Sequence, residues 1–169
     1  REETTTLCLI PAVREATTLP LIAAGGIGTG EAIFALMALG AEGVQMGTRF
    51  ALTDESSASD IFKEYCLRLN EGDTKLLLKK LAPTRLVTNS FRDRVEAAEG
   101  RGASAEELRE LLGRGRAKKG IFEGDLEEGE LEIGQVAALF RRRQSVDEVM
   151  KELLEGYRRA SDKIRSAGL

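Results

Sequence analysis

The sequence predicts an α/β fold in which a parallel unit is followed by a mostly helical lobe. Two short apolar runs, each ended by glycine, lie between stretches whose apolar residues recur at helical spacing. Continuous apolar runs of this length are typical of strands buried on both faces of a parallel sheet. The order helix, strand, helix, strand, helix is the pattern of a parallel α/β unit. Residues 71–130 carry many charges and few strand-like runs, which favours helices there.

Each element of the α/β unit has its own local signal. Glycine or proline separates most of these segments, because both residues interrupt regular structure. A helix start is predicted at Thr29, where a hydroxyl residue precedes an apolar stretch. The predicted elements, in order, are a helix over Thr4–Thr17, a strand over Leu21–Ala24, a helix ending near Leu39, a strand over Gly43–Met46 and a helix over Ser57–Leu69.

The second half of the chain contains fewer clear elements. Ser104 and Glu107 have the capping-box spacing, which predicts a helix over Ser104–Leu112. Ser145 precedes a segment with an amphipathic pattern, which predicts a helix over Val146–Tyr157. The other elements predicted in this half are a short strand at Thr84–Thr88 and an apolar segment over Glu132–Phe140.

Composition restricts the function classes open to the chain. Its 169 residues, 42% of them apolar and 31% charged, have a net charge of −3 and include no histidine. A general nucleic-acid binder would carry a basic excess, and a membrane protein an apolar run of about 20 residues. We therefore expect a soluble, cytoplasmic protein without a metal site. Cys8 and Cys66 are expected to be reduced thiols in the core rather than a disulfide or a metal pair.

Two strand-to-helix turns, Ala23–Gly28 and Gln45–Phe50, carry the clearest chemical signal. Glycine lets backbone N–H groups approach an anion, and the following helix adds a partial positive charge. In (β/α)8 barrels the loops after the last two strands form a phosphate site, with one helix between them as here. Thr48 adds a hydroxyl donor. A single glycine pair is more often only a tight turn, but the tandem arrangement favours phosphate binding.

The residues of these turns resemble those of a known family. Pro20–Gly30 reads PLIAAGGIGTG, and Leu39–Phe50 reads LGAEGVQMGTRF. Both segments resemble the 2-nitropropane dioxygenase, or nitronate monooxygenase, family, which also contains FMN-dependent enoyl-acyl-carrier-protein reductases. Glu123–Gln135, with the sequence EGDLEEGELEIGQ, is similar to a further segment of that family. The resemblance extends from Thr4 to Leu139 and covers most of the chain.

The resemblance implies the C-terminal part of a (β/α)8 TIM barrel that binds FMN and carries a mostly helical substrate-side lobe. Residues 1–69 would supply the last βα units, residues 70–137 the lobe, and residues 138–169 a closing helix packed on the barrel. Gln135 would lie in the lobe, on the substrate side of the flavin. The residues that the resemblance places around the FMN phosphate are Ala24, Gly25, Gly26, Gln45, Gly47 and Thr48.

The resemblance also implies an enzyme, part of which lies outside these residues. Family members are considerably longer, and their active-site histidine lies in a loop just upstream of the segment that matches Thr4–Thr6. The catalytic residue of this chain is therefore unknown, and the chain alone is expected to be inactive. The expected partners are the missing N-terminal half of the barrel and a small-molecule or acyl-thioester substrate, with a homodimer as one expected assembly. No nucleic acid or membrane is expected as a partner.

Several reactions stay open at this point. FMN would support oxidation of alkyl nitronates with oxygen, or reduction of an enoyl thioester with NAD(P)H as the reductant. Val136, directly after Gln135, offers no hydroxyl to a nitro group, which leans towards the reductase. Sugar-phosphate isomerases and synthases use similar glycine turns without a flavin. A purely structural half-chain, whose exposed strand edges need a partner, is a further interpretation.

Two basic clusters have both a chemical and a structural interpretation. Arg114–Lys119 has the charge to guide a nicotinamide nucleotide or an acidic carrier protein. Charge runs are more often solvated helix faces, and we expect that here. Arg141–Arg143 is interpreted in the same way, as surface.

Overall fold

The computed structural model of the chain describes residues 4–168, which form two compact units. The first unit is discontinuous in sequence, since it combines the described residues up to Glu55 with those from Gln144 onward. The second unit is the intervening segment, Ser56–Arg143. Within residues 4–168, no helix has the length and apolar character that a membrane span requires.

Helices outnumber strands among the described residues. In chain order the helices are α1 (Thr6–Ala16), α2 (Gly30–Ala38), α3 (Thr48–Ala51), α4 (Asp60–Cys66), α5 (Ser90–Gly100), α6 (Ala105–Leu112) and α7 (Val146–Ser166). The strands are β1 (Ile22–Ala24), β2 (Gly43–Gln45), β3 (Thr74–Leu77) and β4 (Thr84–Val87). A π-helical turn covers Lys118–Phe122, and a 3₁₀ helix covers Gln135–Leu139.

The first unit contains a parallel two-stranded sheet made of β1 and β2. Its register pairs the first residues of the two strands and also their last residues, so both strands end at the same edge. α1 contacts β1, and α2 contacts β2. This arrangement buries the apolar side chains that a parallel sheet carries on both faces. The buried core residues of this unit include Ile10, Ala23, Ile27, Leu36 and Ala41.

Two glycines allow α7 to pack closely against α2. A Cβ atom added at Gly30 would lie 2.1 Å from a carbonyl oxygen and 2.2 Å from an amide nitrogen of α7. One added at Gly156 would lie 2.7 Å from Oε2 of Glu31. The rings of Phe34 and Tyr157 also meet edge to face, with their centroids 5.5 Å apart. These contacts attach α7 to the first turns of α2.

The second unit is built around an antiparallel hairpin of β3 and β4. Leu86 of β4 is additionally bridged to Glu132, so a later segment of the chain adds to the hairpin. A core between the hairpin and α5 consists of Leu77, Leu78, Leu86, Phe91 and Val95. A second cluster joins α5 to α6 through Ala98, Ala103 and Leu108.

The structure confirms most of the predicted elements, with shifted ends. All five elements predicted over residues 4–69 are present, together with the additional short helix α3. Ser104 and Ser145 both cap their helices through complete capping boxes. α7 continues to Ser166, beyond the predicted end at Tyr157. The sequence does not predict β3 or α5. The apolar residues of α5 form only a weak amphipathic pattern, whereas those of the predicted helix α7 form a strong one.

The two cysteines lie in different environments. Cys66 is buried, and this burial raises the pKa of its thiol to about 12. Cys8 is exposed, so the expectation of a core thiol is wrong at that position. The two residues are both free thiols. The reason for the error is the helical period, since Cys8 is two positions from the buried Ile10 and so faces away from it.

The compact units divide the chain at Glu55 and Gln144, whereas the sequence predicts boundaries near residues 69 and 137. One reason is that α4 contacts the π-helical turn and therefore belongs to the second unit. The assignment of the segments 1–69, 70–137 and 138–169 to barrel, substrate-side lobe and closing helix stays a prediction.

Gly30→Ala is expected to lower the free energy of unfolding by about 2 kcal/mol or more, because the added Cβ would overlap backbone atoms of α7. The matched control is Gly100→Ala, where an added Cβ meets nothing within 4 Å and helix propensity favours alanine. Thermal and denaturant unfolding followed by circular dichroism measure both variants. A Gly30→Ala protein as stable as the control would contradict the close packing of α2 and α7.

Candidate functional site

The two glycine turns start side by side at one edge of the parallel sheet. β1 ends at Ala24 and β2 ends at Gln45, and these two residues are partners in the sheet register. The turns that follow therefore leave the sheet from neighbouring positions. The predicted site residues in these turns are all exposed or half-buried: Ala24, Gly25, Gly26, Gln45, Gly47 and Thr48.

The first turn places two glycines in backbone conformations that other residues rarely adopt. Gly25 has a φ of +100° and Gly26 a φ of +71°, both in the left-handed region that disfavours a Cβ atom. The hydroxyl of Thr6 donates to the carbonyl oxygen of Gly25 at 3.0 Å, which attaches the turn to α1. Across residues 4–168, the backbone N–H groups of Gly26 and Ile27 donate to no protein acceptor. These donors are left for solvent or an anion.

α2 begins directly after the first turn and is capped by Thr29. The Thr29 hydroxyl oxygen accepts a hydrogen bond from the N–H of Ala32 at 3.2 Å. Glu31, in the first turn of this helix, pairs with Arg159 of α7 at 3.1 Å. A backbone hydrogen bond lowers the pKa of Glu31, and Arg159 lowers it further. The carboxylate at this helix end is therefore paired with a cation.

The second turn leaves space that no described protein atom fills. Gly47 has a φ of −89° and a ψ of −63°, a conformation open to any residue. A Cβ atom added there would meet no atom within 4 Å. Among residues 4–168, neither the backbone conformation nor a neighbouring side chain requires glycine at this position. Thr48 begins α3 directly after it and brings a hydroxyl to the turn.

Arg49 connects the second turn to the C-terminal helix. Its side chain is buried, and one guanidinium nitrogen donates to Oε1 of Gln144 at 2.9 Å and to Oε2 of Glu152 at 2.6 Å. The amide of Gln144 donates to the same carboxylate oxygen at 2.9 Å, which closes a triangle of polar side chains. The backbone carbonyl of Gln144 also accepts from the N–H of Asp54 at 3.0 Å. The sequence predicts no role for Arg49, Gln144 or Glu152. The only local signal is that Arg49 directly follows the residues of the second turn.

Gln135 lies in the second unit, at the start of the 3₁₀ helix, where it is exposed. The next two residues, Val136 and Ala137, are buried. The 3₁₀ helix thus buries its apolar residues and leaves the amide of Gln135 accessible. The role of Gln135 beside a flavin stays a prediction.

The segment that leads to Gln135 carries a buried carboxyl group. Glu130 is 7% exposed, and its burial, together with the charge of Glu132, raises its pKa to about 7. Arg116 opposes this shift. Within the described part of the chain, no group donates a hydrogen bond to the Glu130 carboxyl. No group of three or more metal-binding side chains occurs within residues 4–168.

The basic cluster at Arg114–Lys119 is largely engaged within its own unit. The guanidinium of Arg116 lies over the ring of Phe91, 4.5 Å from its centroid. Lys118 and Lys119 form exposed ion pairs with acidic side chains of the following loop, at 3.2 Å and 2.9 Å. The cluster thus contains one structural cation and two surface ion pairs, which supports the structural interpretation over a nucleotide or carrier-protein site.

The second basic cluster, Arg141–Arg143, also makes contacts within the second unit. Arg141 donates to the carbonyl oxygen of Leu69 at 2.6 Å. Arg143 pairs with Asp60 of α4 at 2.8 Å. Arg141 and Arg142 are exposed, in agreement with the interpretation as surface.

Sequence comparison relates the chain to nitronate monooxygenases. The nitronate monooxygenase family matches residues 1–156. Curated relatives described as probable nitronate monooxygenases, from Staphylococcus aureus strains JH9 and Newman, are each 39% identical over 98 residues. That alignment covers 56% of this chain and 27% of the relative. The chain therefore matches only part of these proteins.

Solved structures resemble the chain over almost its whole length. FabK from Thermotoga maritima has a TM-score of 0.90 at 33% identity, covering 98% of this chain and 53% of FabK. Nitroalkane oxidase from Streptomyces ansochromogenes has a TM-score of 0.74 at 28% identity, covering 97% and 48%. The chain thus spans about half the length of these structures. The predicted fold class, the C-terminal part of a (β/α)8 barrel with a mostly helical lobe, is confirmed.

Glu130→Gln is expected to change how stability depends on pH. The folded chain holds the Glu130 proton more tightly than the unfolded chain, whose carboxyl has a pKa near 4.5. The free energy of unfolding therefore falls as the pH rises from about 4.5 to about 7. The variant removes the pH-dependent contribution of the Glu130 carboxyl to the free energy of unfolding. Its unfolding midpoint is therefore expected to exceed that of the wild type above about pH 7 and to match it below about pH 4.5.

Unfolding midpoints measured across this range check the expectation. The control is Glu64→Gln, which changes an exposed carboxylate of α4 in the same unit and is expected to leave the profile unchanged. A Glu130→Gln profile parallel to that of the wild type would contradict the burial of this carboxyl group without a hydrogen-bond donor.

Proposed function

Since the chain belongs to the nitronate monooxygenase family, we propose that it forms part of an FMN-dependent oxidoreductase that oxidises alkyl nitronates. We assign the FMN phosphate to the two glycine turns. The observation that carries this assignment is the open space at Gly47 in the second turn, next to a first turn in which the backbone N–H groups of Gly26 and Ile27 have no protein acceptor among the described residues. At Gly47 this space lies just after the end of a strand and next to a turn with N–H donors that the described residues leave free, a combination that suits a ligand approaching the backbone.

The residues of the two turns suit a phosphate rather than a neutral ligand. The N–H groups of Gly26 and Ile27 are donors without protein acceptors in the described part of the chain. α2 starts after the first turn, and the start of a helix carries a partial positive charge. Thr48 adds a hydroxyl to the second turn. The space at Gly47 lets an anion approach the backbone with no side chain in between.

Bound FMN would supply the redox chemistry, while residues of this chain hold and orient the cofactor. Gly25 and Gly26 keep the first turn in a bent conformation that only glycine adopts readily. Ala24 and Gln45 end the paired strands and set the spacing at which the two turns begin. Gln135 is proposed to contact the substrate through its exposed amide. Proton transfer is proposed to depend on residues outside this chain.

We propose that the rest of the barrel comes from protein outside these residues. The chain covers 53% of FabK and 48% of the nitroalkane oxidase, and barrel closure needs eight strands. Exposed apolar side chains in the first unit support a covering partner, since Leu7, Leu19 and Ile22 are 63%, 70% and 55% exposed. The whole protein is proposed to act in the cytoplasm, with a homodimer as one candidate assembly.

A second candidate function is the NAD(P)H-dependent reduction of an enoyl thioester on acyl-carrier protein. Val136 favours it, because this buried apolar residue offers no hydroxyl to a nitro group beside Gln135. Both reactions would use the same phosphate turns and differ in substrate. Assays of the whole protein with an alkyl nitronate and oxygen, against assays with NAD(P)H and an enoyl thioester, separate the two. A non-redox phosphate-binding barrel enzyme would contain no flavin.

The whole protein, purified under native conditions, is expected to be yellow and to release FMN on denaturation. A visible absorption spectrum reports the flavin, and intact masses of all polypeptides in the sample report whether a second chain completes the barrel. The released flavin is identified by its mass. A colourless protein that also fails to bind added FMN would contradict the flavin proposal and favour the non-redox alternative.

Gly47→Ala is expected to separate ligand binding from folding. The added methyl group meets no described protein atom, so the free energy of unfolding is expected to stay within about 1 kcal/mol of the wild type. FMN affinity is expected to fall about tenfold or more, because the methyl group occupies space assigned to the phosphate. Flavin titration and denaturant unfolding measure the two effects.

The control for this variant is Gly100→Ala, which also adds a methyl group in open space but in the second unit. It is expected to leave the affinity for FMN unchanged. Unchanged FMN affinity in Gly47→Ala would remove the second turn from the phosphate site.

A further inference from the structure

We infer that Arg49 is a positioning residue for the second phosphate turn, and that it acts through Gln144 and Glu152 without touching the phosphate. The inference rests on the proposed function of the glycine turns. Arg49 follows Thr48 directly in the chain, so the anchoring of its side chain determines where the turn and the start of α3 lie. All three side chains belong to the first unit.

Burial and hydrogen bonding restrict the Arg49 side chain to one position. It is 6% exposed, whereas its partner Glu152 is 52% exposed. One guanidinium nitrogen contacts both partners, at 2.9 Å and 2.6 Å, and the partners are bonded to each other at 2.9 Å. Moving this arginine would leave a desolvated charge without its partners, which is strongly unfavourable. A lysine does not replace it well, since an ammonium group is more strongly hydrated than a guanidinium and is less suited to a buried ion pair.

The charge of Arg49 is compensated inside the triangle. The Glu152 carboxylate lies at 2.6 Å from the guanidinium, which argues against a role as a free cation for the phosphate. A direct electrostatic role and a positioning role predict opposite effects of Glu152→Gln. Loss of this negative charge would strengthen phosphate binding if Arg49 attracted the phosphate directly. It would weaken binding if the triangle holds the turn in place.

α7 connects the anchors of both turns. Glu152 of α7 bonds to Arg49, which follows the second turn. Gly156, one helical turn further along α7, packs against Gly30, which follows the first turn. A single helix therefore fixes where both turns lie, and the triangle is its connection to the second one.

The test compares FMN with riboflavin, which has the same ring system without the phosphate. The whole protein is freed of flavin, and Kd values for both ligands are measured from the quenching of flavin fluorescence. The variants are Glu152→Gln, Arg49→Lys and the control Glu155→Gln. Glu155 is an exposed residue of α7 outside the triangle, so the control removes the same charge from the same helix. Glu152, being half exposed, gives a variant that tests the inference even if Arg49→Lys fails to fold.

We expect Glu152→Gln and Arg49→Lys to bind FMN about tenfold more weakly, while riboflavin affinity changes by less than about twofold. Glu155→Gln is expected to match the wild type. FMN binding that is unchanged or stronger in Glu152→Gln overturns the positioning role and leaves the glycine turns as the phosphate site. An equal loss of both ligands also overturns it, because it indicates a general loss of structure.

A different result would overturn the proposed function itself. If the wild-type protein binds riboflavin as tightly as FMN, its glycine turns do not hold the phosphate. The inferred role of Arg49 is then also wrong, because it depends on that site. The preference of the wild type for FMN therefore tests the site, and the change in that preference tests Arg49.

Discussion

The close approach of α7 to α2 at Gly30 and Gly156 is the contact on which the first unit depends. Glycine in a helix costs about 1 kcal/mol relative to alanine, so the unit accepts a local cost at both positions to bring the helix backbones together. The contact places α7 beside the start of α2, immediately after the first glycine turn. The same helix carries Glu152 to Arg49, beside the second turn. Within the described residues, the edge of the β1–β2 sheet is thus supported by a helix.

The glycines of the first unit differ in what requires them. Gly30 leaves no room for a Cβ atom because the backbone of α7 occupies it, and a Cβ atom at Gly156 would lie 3.1 Å from Cα of Gly30. Gly25 and Gly26 adopt positive φ values that side chains disfavour. Gly47 meets neither condition, since its backbone is ordinary and its surroundings are open. Gly47 is therefore the position of these turns at which a ligand outside the described residues is proposed to need the room.

The sequence predicts the parallel unit well because its signals are local. Short apolar runs ended by glycine identify β1 and β2, and the capping boxes at Ser104 and Ser145 identify two helix starts. α5 is missed because charged residues dominate its exposed face. The Arg49 triangle is missed because its partners lie 95 and 103 positions further along the chain, where no local spacing can indicate them. The turns of the candidate site were therefore predictable, whereas the contacts that hold them were not.

The discontinuity of the first unit has a consequence for how the chain folds. Glu31 and Arg159, which pair across α2 and α7, are separated by 128 residues, and bringing such distant segments together costs conformational entropy before any contact forms. The second unit is continuous and has its own hairpin and helix caps, so it can fold as soon as it has been synthesised. During translation, α2 can make its contacts with α7 only after α7 has been synthesised. Before that point the start of α2 lacks the helix that Gly30 contacts, and transiently exposed apolar surface of this kind promotes aggregation.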